Sequence, residues 1–197
     1  MMLSFMHLEI EQPGKAAEYS REALQLAESF GLTQFIPMIQ EACGKASQAL
    51  GDLHAASGWF HASADGWEVF GNDYQVGDQV HHLARVHLLL GEPEKALPLL
   101  NRAVKVWLGK KLTSVVPCAL TTLAKAHLQM GNPTLAARFL GTVMDLSTPT
   151  RDGNMPSEIA FVAELRQGLE ETLGSEEARR LFQDAPSLEL ALQEAFA

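Results

Sequence analysis

The stretch LLLGEPEKALPLLNRAV, Leu88 to Val104, ends an apolar run on a Gly, passes an acid and a Pro, and opens a second run rich in Ala and Leu. Gly supplies the left-handed backbone that stops a helix, and Pro fits the first turn of the next, where its missing N–H has no intrahelical partner to lose. The arrangement recurs. Gly51 and Gly131 stand forty residues to either side of Gly91, followed by Asp52, Glu92 and Asn132. Ala56, Ala96 and Ala136 lie five residues past each Gly, with Ala16 in the same register, and Ala23, Ser63, Ala103 and Val143 follow seven residues later. Cys43-Gly44, Leu83-Ala84 and Leu123-Ala124 align ahead of the Gly, and Phe60, Leu100 and Leu140 align behind it.

Such a period describes two helices joined by a short Gly turn, with small residues where the helices approach closely. A single hairpin cannot bury both apolar faces, so neighbouring hairpins must stack. The register predicts helices over Met1–Ile10 and Lys15–Ser29, Gln34–Leu50 and Leu53–Phe70, Gln75–Leu90 and Pro93–Trp107, and Thr113–Met130 and Pro133–Leu146. Pro98 falls inside one of them, where it costs a hydrogen bond or bends the helix. Pro37 and Pro117 share a register position near a helix start. The first repeat is imperfect, with Pro13-Gly14 making its turn and Glu11 standing where Gly belongs.

Leu83, Ala84, Gly91, Ala96, Leu100 and Ala103 resemble the signature of the tetratricopeptide repeat (TPR). That resemblance implies an all-α, right-handed superhelix of antiparallel hairpins over residues 1–146, built from four repeats longer than the family's usual unit. Residues 147–157, STPTRDGNMPS, read as a linker, and residues 158–197 as capping helices for the open end of the stack. Ser157 is a candidate N-cap for the first of these, which runs to about Leu173, followed by Ser175–Gln183 and Ser187–Phe196. ARFLGTVMDL with the later Leu173-Gly174 and Leu188–Ala191 also resembles the C-terminal region of bacterial LuxR-type and related STAND regulatory ATPases. The phosphate-binding loop and the helix-turn-helix reader of those proteins are not recognisable in this sequence, so the resemblance implies a sensing and docking array, not their ATPase or DNA-binding activity.

Charge and composition bound the function. With 24 acids against 15 Lys and Arg, the net charge of −9 argues against broad contact with nucleic acid or an anionic membrane. Hydrophobic residues make up 47% and charged residues 20%, an ordinary globular composition. The apolar opening lacks a basic leader, and no stretch reaches the roughly 20 apolar residues of a membrane helix. Cys43 and Cys118 sit in helical patterns as packed thiols, in keeping with a cytoplasmic chain.

Chemistry is sparse in the sequence. Of seven histidines, His81, His82 and His87 share a helix, but no HExxH motif or His pair at i,i+4 appears, so no metal or cofactor is expected. His7, His87 and His127 share one repeat position and read as packing residues. No GxSxG elbow marks a nucleophile, and an enzyme is not expected. Trp59, Phe60, Trp67 and Phe70 form a stripe that reads as core, with an exposed part able to anchor a partner helix.

The periodic cations carry the functional expectation. Lys45, Arg85 and Lys125 recur every forty residues on the first helix of each repeat, with Glu41, His81 and Thr121 one turn earlier on the same face. In TPR proteins that face lines the concave groove. The resemblance therefore implies a non-catalytic docking or sensing scaffold in bacterial regulation, binding an acidic protein segment through these six residues. Pairing of the cations with acids on neighbouring helices is the alternative reading of the same pattern. An anionic metabolite held as a regulatory input is the second functional reading. Met1, Met2, Leu3, Phe5, Met6 and Leu8 leave an apolar first repeat, which predicts a homodimer through that repeat or derivation from a longer regulator.

Overall fold

The computed structural model describes residues 4, 7, 8, 12–145 and 156–195, with side chains from residue 159 onward in the last stretch. Ten α-helices and no strand occur among the described residues: α1 Pro13–Ser29, α2 Ile36–Ala49, α3 Leu53–Val69, α4 Asp73–Leu89, α5 Pro93–Gly109, α6 Val116–Gln129, α7 Pro133–Asp145, α8 Pro156–Leu173, α9 Ser175–Gln183 and α10 Leu188–Ala195. Within each unit, successive helices pack on one another as the register predicts. The first expected helix is described only at Ser4, His7 and Leu8, which are helical. The apolar N-terminal residues invoked for dimerisation, Leu8 apart, and most of the expected linker lie outside the described residues.

Helix ends show why the period exists. Gly31, Gly51, Gly71, Gly91 and Gly131 all have φ between 65° and 79°. The residue after each of four of these Gly reaches back to the last helical turn: Leu32 N–H donates to the Ala27 carbonyl, Asp52 to Ser47, Asn72 to Trp67 and Asn132 to His127, at 2.8–3.0 Å. The Gly N–H itself donates one residue further along, to the carbonyl of Glu28, Gln48, Glu68 or Leu128. This pair of bonds satisfies carbonyls that a helix end otherwise leaves open. Left-handed stops therefore fall every twenty residues, not every forty, because the turn between hairpins uses the same device as the turn within them. Lys111 fills that place once, with φ of 58°, while Leu112 N–H donates to the Trp107 carbonyl at 2.9 Å.

Helix starts are more varied. Asp52 and Asn72 cap α3 and α4 by accepting from the backbone N–H of Ala55 and Gln75. Proline at the first turn opens α1 and α5. Before α2 and α6, residues Thr33–Phe35 and Thr113–Val115 wind as single 3-10 turns, so the α-helices begin at Ile36 and Val116, later than the expected Gln34 and Thr113. Pro37 and Pro117 stand in their first turns, where the absent N–H has no ladder partner. α5 continues through Pro98, at the loss of the bond that its nitrogen would make to the carbonyl of Glu94.

The chain divides into two compact units, Met1–Leu90 and Gly91–Ala197. In the first, α1 packs on α2, α2 on α3 and α3 on α4. One close approach sets Phe60 over Gly44: a Cβ there would meet the ring at 2.7 Å. Gly66 likewise lies against Pro37, whose carbonyl accepts from Ser63 Oγ at 2.7 Å. The first repeat substitutes a polar contact at the Gly44–Phe60 positions, with Ser4 and Ser20 hydroxyls 2.6 Å apart and both buried.

Within the second unit, α5 packs on α6 and α6 on α7, around the buried Trp107, Phe139 and Leu140. α9 closes on α7 where Gly141 leaves room, since a Cβ there would meet the Phe182 backbone at 2.7 Å. Thr142 Oγ1 donates to the Pro186 carbonyl at 2.8 Å, and Arg138 holds Glu194 of α10 at 2.7 Å. His127 tilts against Phe139 with ring centroids 5.5 Å apart; its Nδ1 is buried without a hydrogen-bond partner, and burial lowers its pKa below 6.5. In the first unit His7 stacks on Tyr19 at 5.2 Å, the equivalent pair of positions.

Gly44→Ala is expected to destabilise the chain by roughly 1–2 kcal/mol, because the clash with Phe60 exceeds the better helix propensity of Ala. In a Phe60→Leu background the same change becomes neutral or stabilising, a sign reversal read by chemical denaturation of all four chains. Lys111→Gly should stabilise by about 1 kcal/mol, raising Tm by roughly 2–4 °C, since Lys is strained at positive φ and Gly is not. Because His127 is held neutral when folded, the unfolded chain binds the extra proton below about pH 6.5, and the stability present above that pH is lost on acidification. His127→Phe should show a shallower fall in Tm between about pH 7 and pH 5.5.

Candidate functional site

The helical period places two polar pairs on α4 and one on α2. Glu41 and Lys45 are one turn apart on α2, as are Asp78 and His82, and His81 and Arg85, on α4. A hydrogen bond from Gln79 Nε2 to Glu41 Oε2, 3.2 Å long, joins the two helices, which are the first helices of successive repeats.

Four of the expected site residues therefore gather in the first unit. Lys45 Nζ lies 2.7 Å from Glu41 Oε1, with the carboxylate side chain 9% exposed and the Lys side chain 32%. A buried carboxylate is tolerated only when matched by donors, and Glu41 has Lys45 on one oxygen and Gln79 on the other. His81 is buried, its ring 6.2 Å from that of His82. Arg85 is half-buried one turn beyond it. Lys125 and Thr121 belong to the second unit. Lys125 Nζ holds Glu164 of α8 at 3.0 Å, and Thr121 is buried with its hydroxyl donating to the Pro117 carbonyl of its own helix at 3.1 Å.

The neighbours Asp78 and Gln79 escaped the sequence reading, and His82 was set aside, because that reading sought pairs of histidines at i,i+4 and not an acid with a histidine. Gln79 is fully buried, and its Nε2 also lies 3.4 Å from Asp78 Oδ2. His82 stacks on Phe60 with centroids 4.9 Å apart and planes 12° from parallel, and its Nε2 sits 3.8 Å from Asp78 Oδ2. Burial, then the charges of Lys45, His81 and Arg85, push its pKa well below 6.5, so the ring is neutral. Cationic and anionic groups thus alternate over a few ångströms, an arrangement able to bind and orient charged groups.

The cysteines and part of the aromatic stripe are packing residues. Cys43 and Cys118 are both buried, and burial pushes the Cys43 thiol up to about 11, away from thiolate chemistry. In the aromatic stripe, Phe60 is core and Trp59 packs on the cluster of Ala27, Ile39 and Cys43. Phe70 is 48% exposed and meets Trp67 edge-on at 6.4 Å.

No family model matches the sequence, and no curated protein matches it. Solved structures do resemble it. A crystal structure of a Podosopora anserina putative kinesin light chain with nearly identical TPR-like repeats superposes with a TM-score of 0.66 at 20% identity, covering 92% of this chain and 89% of that one. A single-substitution variant of the same protein gives a TM-score of 0.66 at 19% identity over 93% and 89% of the two chains. At these identities the likeness is one of architecture: the chain has the all-α fold of TPR-like helical repeats.

Proposed function

We propose that the chain is a non-catalytic protein–protein interaction scaffold that binds an acidic peptide or protein segment through the first helices of its repeats. The observation that carries this reading is Lys125, which already holds a carboxylate: Glu164 on α8 is 72% exposed yet sits 3.0 Å from the ammonium. An exposed acid on a helix is the ligand chemistry that this repeat position accepts. Lys45 and Arg85 occupy the same register position in the first unit, with Glu41 holding Lys45 from one turn earlier and His81 one turn before Arg85.

In this reading the array serves a bacterial cytoplasmic regulator as its sensing and docking part, in line with the resemblance of ARFLGTVMDL and the later Leu-Gly turn to STAND proteins. A long peptide crossing several repeats fits cations spread over separate helices better than a metabolite does, since a metabolite would depend on one repeat. Pairing of two chains through the apolar first repeat completes the proposal, and a monomeric mass in solution at micromolar concentration would count against it.

Lys45→Glu and Arg85→Glu, singly and together, test the binding face. For a fluorescent peptide rich in Glu, the double variant is expected to lose at least about tenfold in affinity, and the wild-type affinity to fall with salt. Unchanged affinity in the double variant would remove the proposal.

A further inference from the structure

We propose that Glu41, Asp78 and His82 form a binding site for one divalent transition-metal ion, with the Gln79 amide as an additional donor. One ligand atom from each of the three residues lies within 4.8 Å of the other two. Donors that share an ion at about 2.0–2.2 Å stand roughly 3–4 Å apart, so closure needs side-chain movements of under about 1 Å. The i,i+4 spacing puts Asp78 and His82 on one face of α4, and α2 delivers Glu41 across from them.

The site is partly built already. Phe60 stacks on the His82 ring and fixes its plane. Lys45 takes Glu41 Oε1 and leaves Oε2 turned toward the cluster. Gln79 supplies the independent sign. It is fully buried, its Nε2 is aimed between Glu41 Oε2 and Asp78 Oδ2, and its Oε1 is buried with no hydrogen-bond partner. A half-turn of the amide, which changes its shape little, presents Oε1 to the point where the carboxylates converge. A cation there would give that oxygen the partner it lacks and would take over the two carboxylate oxygens that Nε2 gives up in the half-turn.

Two carboxylates and an imidazole select the ion class. Such mixed donors suit Zn²⁺, Co²⁺, Mn²⁺ or Fe²⁺, whereas Mg²⁺ and Ca²⁺ favour all-oxygen shells. Opposing the ion are the cations Lys45 and Arg85 near His82. Lys45 competes most directly, through its contact with Glu41, and is therefore the residue that tunes affinity.

Co²⁺ titration of the full chain, followed by its visible absorption and by thermal melting with Mg²⁺ as comparison, tests the site. One Co²⁺ per chain and a raised Tm are expected, with no rise in Mg²⁺. Asp78→Asn and His82→Gln should each weaken binding by about 100-fold, and Lys45→Met should tighten it by about tenfold. His54→Gln with His61→Gln, which removes two exposed histidines outside the cluster, should leave binding intact. Absence of bound Co²⁺ in the wild type overturns the proposal, as does binding that survives Asp78→Asn and His82→Gln or vanishes with the His54 and His61 changes. Should either ligand variant fail to fold, Glu41→Gln and Lys45→Met decide alone, because opposite shifts in affinity support the site and parallel or null shifts overturn it.

Discussion

Each of helices α1 to α6 is limited by a backbone constraint: after seventeen or fewer helical residues one residue turns left-handed, and the N–H of Leu32, Asp52, Asn72, Leu112 and Asn132 folds back onto the turn before it. Side-chain packing can then repeat because the helices it joins have matching ends. Gly meets the constraint five times, and Lys111 meets it once under strain. Without those stops, neither the close approach of paired helices nor the alignment of polar residues on first helices would recur.

Volume is traded across the hairpins under that constraint. A large ring at Phe60 demands no side chain at Gly44, and two serines at the same positions of the first repeat hold one another by a hydrogen bond. Phe60 also reaches beyond its own hairpin to stack on His82, so the choice made for packing at Gly44 sets the orientation of a polar cluster on α4. Packing and site are thus coupled through one ring.

The hairpins were legible because their determinants are local: Gly at the turn, small residues near it and forty-residue spacing. The equal twenty-residue halves were obscured by Lys111, which breaks the run of Gly at Gly31 and Gly71 although its backbone does the same thing. Helix starts at Ile36 and Val116 were missed because a single 3-10 turn carries no separate sequence mark. Of the candidate site, the spacing of Lys45 and Arg85 could be read, but their surroundings could not. Glu164 reaches Lys125 only because of where α8 docks, and Gln79 joins Glu41 only once α2 and α4 lie side by side. Thr121 shared the register, yet a Thr hydroxyl readily turns to its own helix, as it does toward Pro117.

A chain stopped at even intervals carries a ruler along its length. Insertions that preserve phase, a whole hairpin of forty residues, would bring their own stop signals and meet neighbours whose small and large positions already correspond. An insertion of another length within the helices between Gly44 and Phe60 would throw Gly44 out of line with Phe60 and Glu41 out of line with Gln79 together. Tolerance to length change is therefore quantised, and the turn residues, not the core, set the quantum.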